Sequence, residues 1–156
     1  MKLYIKEKVF SWGDHFYVRD AAGRETYEVR GEVFSLGKKL HVCDMQGREV
    51  ALITQRLLTF LPKYEVYVRE EKVAEVKQVF SLLRPRFVVE GLNWDVEGRI
   101  MWHDYEITRN GSSVVTIRKE WMTWGDSYEL DIANPADEIF ALAVVLTIDC
   151  VAEARD

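Results

Sequence analysis

Apolar and polar side chains alternate in short runs over the first 132 residues. Leu3, Ile5 and Val9 stand among Lys2, Lys6, Glu7 and Lys8, and the same period of two returns in His15–Arg19, Thr26–Arg30, Leu40–Cys43 and Glu49–Thr54. It continues through Glu65–Arg69, Val73–Phe80, Arg86–Glu90, Trp94–Glu97, Ile100–Thr108, Val114–Lys119 and Ser127–Ile132. Each run is rich in Val, Ile, Tyr, Phe and Trp and is bounded by Gly, Asn, Asp or charged residues. A period of two sends alternate side chains to opposite faces of a strand. About twelve such strands with short connections predict an all-β meander that closes on itself, rather than βαβ units.

The connections carry their own chemistry. Asp20-Ala21-Ala22-Gly23 and Asp44-Met45-Gln46-Gly47 begin with Asp and end with Gly, which suits a type I turn closed by a residue of positive φ. Asn110-Gly111 is a two-residue hairpin signal. The first of these turns lies in a repeat. Val9-Phe10-Ser11-Trp12-Gly13, then Val18, Asp20 and Gly23-Arg24-Glu25, recurs 24 residues later as Val33-Phe34-Ser35-Leu36-Gly37, then Val42, Asp44 and Gly47-Arg48-Glu49. A duplicated strand–turn–strand unit suits a meander, and two good copies are too few for a solenoid.

The C-terminal segment breaks the period. Asn134 is a good N-cap, Pro135 fits the first helical position, and Asp137 and Glu138 complement the positive helix end. Ile139 to Ile148 is then apolar on every face, so the predicted helix, about 135–151, must be surrounded. A membrane span is the alternative, but the apolar stretch stops at Asp149, short of the ~20 residues a bilayer needs. Burial inside the protein contributes on the order of 15–25 kcal/mol gross for about nine large apolar side chains. The organisation expected is therefore one domain over 1–156, with a barrel over 1–132 and the helix along its axis. A helix in the lumen removes the cavity a barrel carrier would use.

Charge narrows the function classes. The net charge is −5, which argues against a general nucleic-acid partner. Cys43 and Cys150 are too few for a disulfide framework and lack metal-ligand spacing, so a reducing, cytoplasmic setting is expected. The charged N-terminus has no signal-peptide core, and no transmembrane segment is expected.

A β meander followed by one wholly hydrophobic helix resembles the tubby C-terminal-like fold, most closely the LURP-one-related family, with phospholipid scramblases more distant. The residues that carry the resemblance are Val9-Phe10-Ser11-Trp12-Gly13-Asp14, the two Asp-x-x-Gly-Arg-Glu turns, Trp124-Gly125-Asp126-Ser127-Tyr128 and the helix from Pro135. It implies a closed β-barrel around a central helix. In scramblases an acidic segment before the helix is proposed to bind calcium. The matching Asp126, Glu129 and Asp131 lack EF-hand spacing and read as a strand edge. Tubby domains bind phosphoinositides through basic side chains outside the barrel, and none of those residues aligns individually here.

Candidate chemistry is sparse. His15, His41 and His103 are widely separated and read as strand-surface histidines. Cys43 with His41 or His103 could pair nucleophile and base, but no oxyanion-forming turn follows it. Cys150 reads as a small core hydrophobe. No Gly-x-Ser-x-Gly, phosphate loop or dinucleotide fingerprint is present. No catalytic residue, metal or cofactor is expected. Lys38 and Lys39 at a hairpin tip, with Arg84 and Arg86 around Pro85, are the candidate binding residues, because paired cations can hold phosphate. Arg118-Lys119 is a further basic pair, and Trp12 and Trp124 are candidate interfacial anchors or barrel-end packing residues. The expected function is a non-enzymatic domain that binds a phosphorylated lipid headgroup or membrane surface on its outer wall. The alternative is a structural or protein-interaction module with no small ligand.

Overall fold

The alternating runs form twelve antiparallel strands in the computed structural model, which describes residues 1–6, 15–32, 36–83, 86–123 and 125–153. They are β1 (Lys2–Lys6), β2 (His15–Asp20), β3 (Glu25–Gly31), β4 (Lys39–Asp44), β5 (Glu49–Gln55) and β6 (Lys63–Val68). Then follow β7 (Glu71–Val79), β8 (Arg86–Glu90), β9 (Trp94–Arg99), β10 (Asp104–Arg109), β11 (Ser112–Met122) and β12 (Gly125–Ile132). Neighbours in sequence are neighbours in the sheet, and β1 closes the barrel by pairing with both β2 and β12. In every strand but β8 and β9 at least one inner-face residue, such as Val18, Val29, Ile53, Val76 or Ile117, is wholly shielded from solvent.

Alternate connections lie at opposite ends of such a barrel. The turn end holds the tight reversals after β2, β4, β6, β8 and β10. Here the expected Asp turns form. The Asp20 carboxylate accepts from Ala22 N and Arg24 N, and Asp44 accepts from Gln46 N and Arg48 N. Arg24 and Arg48 each return a guanidinium to the turn Asp at 2.9 Å, so the sequence repeat is one turn built twice. Gly23 and Gly47 take φ of 81° and 83°, where a side chain would be strained. A bulge precedes the turn in four of these hairpins, at Val18/Arg19, Val42/Cys43, Val66/Tyr67 and Ile107/Thr108. Bulges increase the twist that closure requires.

The chain enters the lumen at the turn end. Asn134 caps as expected, accepting from Ala136 N at 3.0 Å, but Pro135–Asp137 form a 3-10 turn and the helix α1 runs Glu138–Glu153. Ala141 to Ala152 are buried without interruption. No helix among the described residues is long and apolar enough to cross a membrane. A second difference concerns the run Ile100–Thr108. Its first part is a 3-10 turn, Ile100–Trp102, ended by His103 in the left-handed region, and the strand begins only at Asp104.

Two substitutions test this enclosure. Leu146→Ala should lower stability by ~2–5 kcal/mol in chemical denaturation, since a packed lumen closes poorly over a void. Val145→Asp should give no folded protein by circular dichroism, because an unpartnered buried carboxylate costs as much as a domain's whole stability, ~5–15 kcal/mol.

Candidate functional site

The C-terminal turn of α1 emerges at the other end of the barrel, the loop end, where its acids meet partners from the wall. Asp149 is 8% exposed. Tyr128 of β12 donates its hydroxyl to Asp149 Oδ2, and His103 Nε2 lies 3.0 Å from Oδ1. The His103 and Tyr128 rings stack with centroids 4.0 Å apart and planes within 2°. Burial, then the Asp149 charge and hydrogen bond, raise the Tyr128 phenol well above its ordinary value. Tyr105 is raised likewise, burial first, and its buried hydroxyl has no partner among the described residues. Burial pushes the Cys150 thiol up to about 12, so it is protonated and a poor nucleophile. The left-handed His103 is what brings an imidazole over the helix end. It is therefore not a strand-surface histidine, unlike His15 and His41, which face Glu28, and Glu32 with Glu49, on the outer wall.

The basic residues separate. Lys38 is not on an exposed tip: it is 9% exposed, and its Nζ lies 2.8 Å from Glu153 at the helix C-terminus, where a cation also meets the negative helix end. Strand alternation turns Lys39 outward, 4.0 Å from Glu32. Arg86 begins β8 and is exposed. Arg84, Trp12 and Trp124 lie outside the described residues. Lys38 and Arg86 thus hang from different connections, after β3 and β7. Cys43 is buried and its Sγ accepts from Arg30 at 3.6 Å. Glu129, read as a strand edge, is buried and accepts from Tyr4 at 2.8 Å, with Lys2 at 3.4 Å. Among the described residues no three His, Cys, Asp or Glu side chains gather to hold a metal ion.

What the loop end gathers instead is apolar surface. Twelve large hydrophobic side chains are exposed among the described residues, and all but Met1 and Met45 sit at this end. Leu57, Leu58 and Phe60 stand on the β5–β6 connection, and Phe80, Leu82 and Leu83 on the β7–β8 connection. Gln78 N of β7 donates to Pro62 O at 3.2 Å and carries the β6–β7 ladder one step into the base of the β5–β6 connection. Leu36, Met101, Trp102 and Trp121 continue the rim. The segments 55–63 and 77–86 carry five cations (Arg56, Lys63, Lys77, Arg84, Arg86) and no acid, in a chain of net charge −5. Below the tips the cations meet outer-wall acids. Lys63 lies 3.0 Å and Lys72 2.6 Å from Glu75, and Arg56 lies 3.6 Å from both Glu65 and Glu75. Hydrogen bonds from Lys72 and then Lys63 hold the Glu75 carboxyl at about 2. Further round the rim, Arg99, Trp102, Asp104, Arg118 and Lys119 line a notch of about 340 Å³, with Arg99 paired to Asp104. The basic pair Arg118-Lys119 is the one the fold sets beside an exposed indole. The apolar rim was hidden in the sequence because Leu57, Phe60 and Leu82 look like any other strand-flanking hydrophobes.

Comparison with known proteins agrees with this architecture. The family model described as LURP-one-related matches residues 1–149. The uncharacterized protein YxjI of Bacillus subtilis is 34% identical over 151 residues, covering 97% of this chain and 93% of that protein. The X-ray structure of an Arabidopsis thaliana protein superposes with a TM-score of 0.63 over 96% of this chain and 90% of the other, at 16% identity, which speaks to the fold alone.

Tyr128→Phe should destabilise by ~1–3 kcal/mol in urea unfolding by leaving Asp149 short of a donor, whereas Tyr105→Phe should stay within about 0.5 kcal/mol. The Glu75 pair predicts a pH signature. A carboxyl held at about 2 against an ordinary 4.5 favours the folded state above pH 4.5. The stability gap between wild type and Glu75→Gln should therefore be full at neutral pH, shrink as pH falls from 4.5 towards 2, and vanish below.

Proposed function

The chain belongs to the LURP-one-related family, and we propose that it is a non-enzymatic docking domain whose loop end seats on an anionic membrane surface. The observation that carries this reading is the segregation of exposed hydrophobes to one end of the barrel. Soluble surfaces tolerate scattered apolar side chains, but a rim of them marks an interaction face. Leu58, Phe60, Leu82 and Leu83 stand exposed on two connections at the same barrel end rather than on a flat sheet face. Such tips enter the acyl boundary while the flanking cations stay at headgroup level, as amphipathic interfacial elements do. The exposed indoles of Trp102 and Trp121 suit the same boundary. The notch between Arg99 and Lys119 is placed to take a phosphorylated headgroup at the rim, in the role first assigned to Lys38, Lys39, Arg84 and Arg86.

The lumen offers no competing site, because α1 fills it, and the buried thiol and phenols are held in their neutral forms. The chain should co-sediment with phosphatidylserine vesicles, more strongly when a phosphoinositide is included, and release with rising salt as the Debye length shrinks from ~30 Å at 0.01 M to ~8 Å at 0.15 M. Leu58→Asp/Phe60→Asp should lose at least about tenfold in affinity with no change in melting temperature, since exposed tips contribute within about 0.5 kcal/mol to folding. Failure to bind at low salt, or binding indifferent to that pair, would transfer the rim to a protein partner.

A further inference from the structure

Among the described residues two seams of the barrel are laddered at only two positions: β1–β2, at Leu3–Asp20 and Tyr4–Arg19, and β8–β9, at Val88–Asp95 and Val89–Trp94. The β8–β9 seam is the one that borders a cleft. Both strands are complete on their other sides. β8 pairs with β7 from Glu75–Glu90 to Val79–Arg86, and β9 pairs with β10 from Asp104–Arg99 to Arg109–Trp94. Beyond Val88 and Asp95 the two strands part toward the loop end, and their facing edges, Arg86–Phe87 and Val96–Arg99, meet no strand among the described residues. Between them lies a cleft of about 740 Å³, the size of a ligand site. The exposed Ser81 and the buried Trp94 and Ile100 are among the residues that line it.

We infer that this cleft accepts an extended peptide segment of a partner protein, added as a strand between β8 and β9. Open strand edges present backbone N–H and C=O groups in the spacing that another strand satisfies. Two edges facing one cleft offer an inserted strand a ladder on both sides. A second observation points to the same ligand. Trp94 is 3% exposed, and its indole N–H has no acceptor among the described residues. A buried donor lacking its bond favours an occupant that carries carbonyls, as a peptide backbone does at every residue. The lips add polarity: Arg86 on β8 and Glu97 on β9 are both exposed, which favours a segment with an acidic side chain on one side and a basic one on the other. Gly98 also lines the cleft; a Cβ there would lie 2.7 Å from Asp104 O and from Tyr105 Cα of β10, so the position admits no side chain and β9 stays close against β10. This inference shares the β7–β8 connection with the membrane reading, since Leu82 and Leu83 follow Ser81 there, but it uses the strand edges rather than the apolar tips.

Peptides selected on the full chain from a phage-displayed library of random linear sequences are the probe. Enriched peptides should slow hydrogen exchange among the amides of Arg86, Phe87 and Val96–Arg99. N-methylation of alternate peptide amides, side chains unchanged, should weaken binding by about tenfold or more, because strand addition is held by main-chain bonds. Ser81→Trp, at an exposed position lining the cleft, should weaken it about as much, while Leu58→Asp/Phe60→Asp should leave it unaltered. If no peptide is enriched, if protection falls elsewhere, or if N-methylated peptides bind undiminished, the inference is overturned.

Discussion

A helix that is apolar around its whole circumference cannot rest on a sheet, because a sheet covers one side and leaves the other to water. Residues 141 to 152 of α1 are buried without a gap, and only a wall that closes on itself can do that. Twelve strands supply it. The inner face of each strand meets the helix or its neighbours, and the small side chains Ala51 and Ala74 lie on the strands that pack against α1. Pairing of β1 with β12 is thus a condition of the helix, and the helix is what keeps the barrel from being hollow.

Enclosure creates a problem at the point where the helix leaves the lumen. Its last turns carry Asp149, which is buried, and Glu153, which is partly exposed. The fold answers with donors from the wall: Tyr128 and His103 for Asp149, and the Lys38 ammonium for Glu153. At the opposite end Tyr27 donates to Glu138 and Arg109 to Asp137. Both helix ends are therefore pinned to strands far away in sequence. A buried acid with its donors in place stabilises, and the same acid without them would open the barrel end.

Filling the lumen also decides where function can be. With α1 in the lumen, the surfaces we propose lie on the rim and at the β8–β9 seam. The turn end is closed by compact reversals whose polar groups bond to one another. The loop end carries the longer connections, the apolar tips and the mouth of the β8–β9 seam. Two surfaces of different chemistry share that end, one built from side chains on loop tips, the other from bare backbone edges.

The periodicity of the sequence was enough to number the strands, to find the helix and to require that it be enclosed, since these follow from side-chain alternation and from hydropathy within a few residues. The Asp turns, the Asn134 cap and the Asn110-Gly111 hairpin were legible for the same reason: each is closed by neighbours in the chain. The partners of Lys38, His103, Glu129 and Asp149 were not. Lys38 and Lys39 look alike in sequence, and only the register of β4 sends one inward to Glu153 and the other out to Glu32. His103 read as a strand residue because nothing local announces a left-handed turn at an imidazole, and its purpose lies 46 positions away at Asp149. The apolar rim and the β8–β9 seam depend on which connections share an end and on how far two strands stay parallel. Those are properties of the closed barrel, set by long-range pairing, and no window of the sequence contains them.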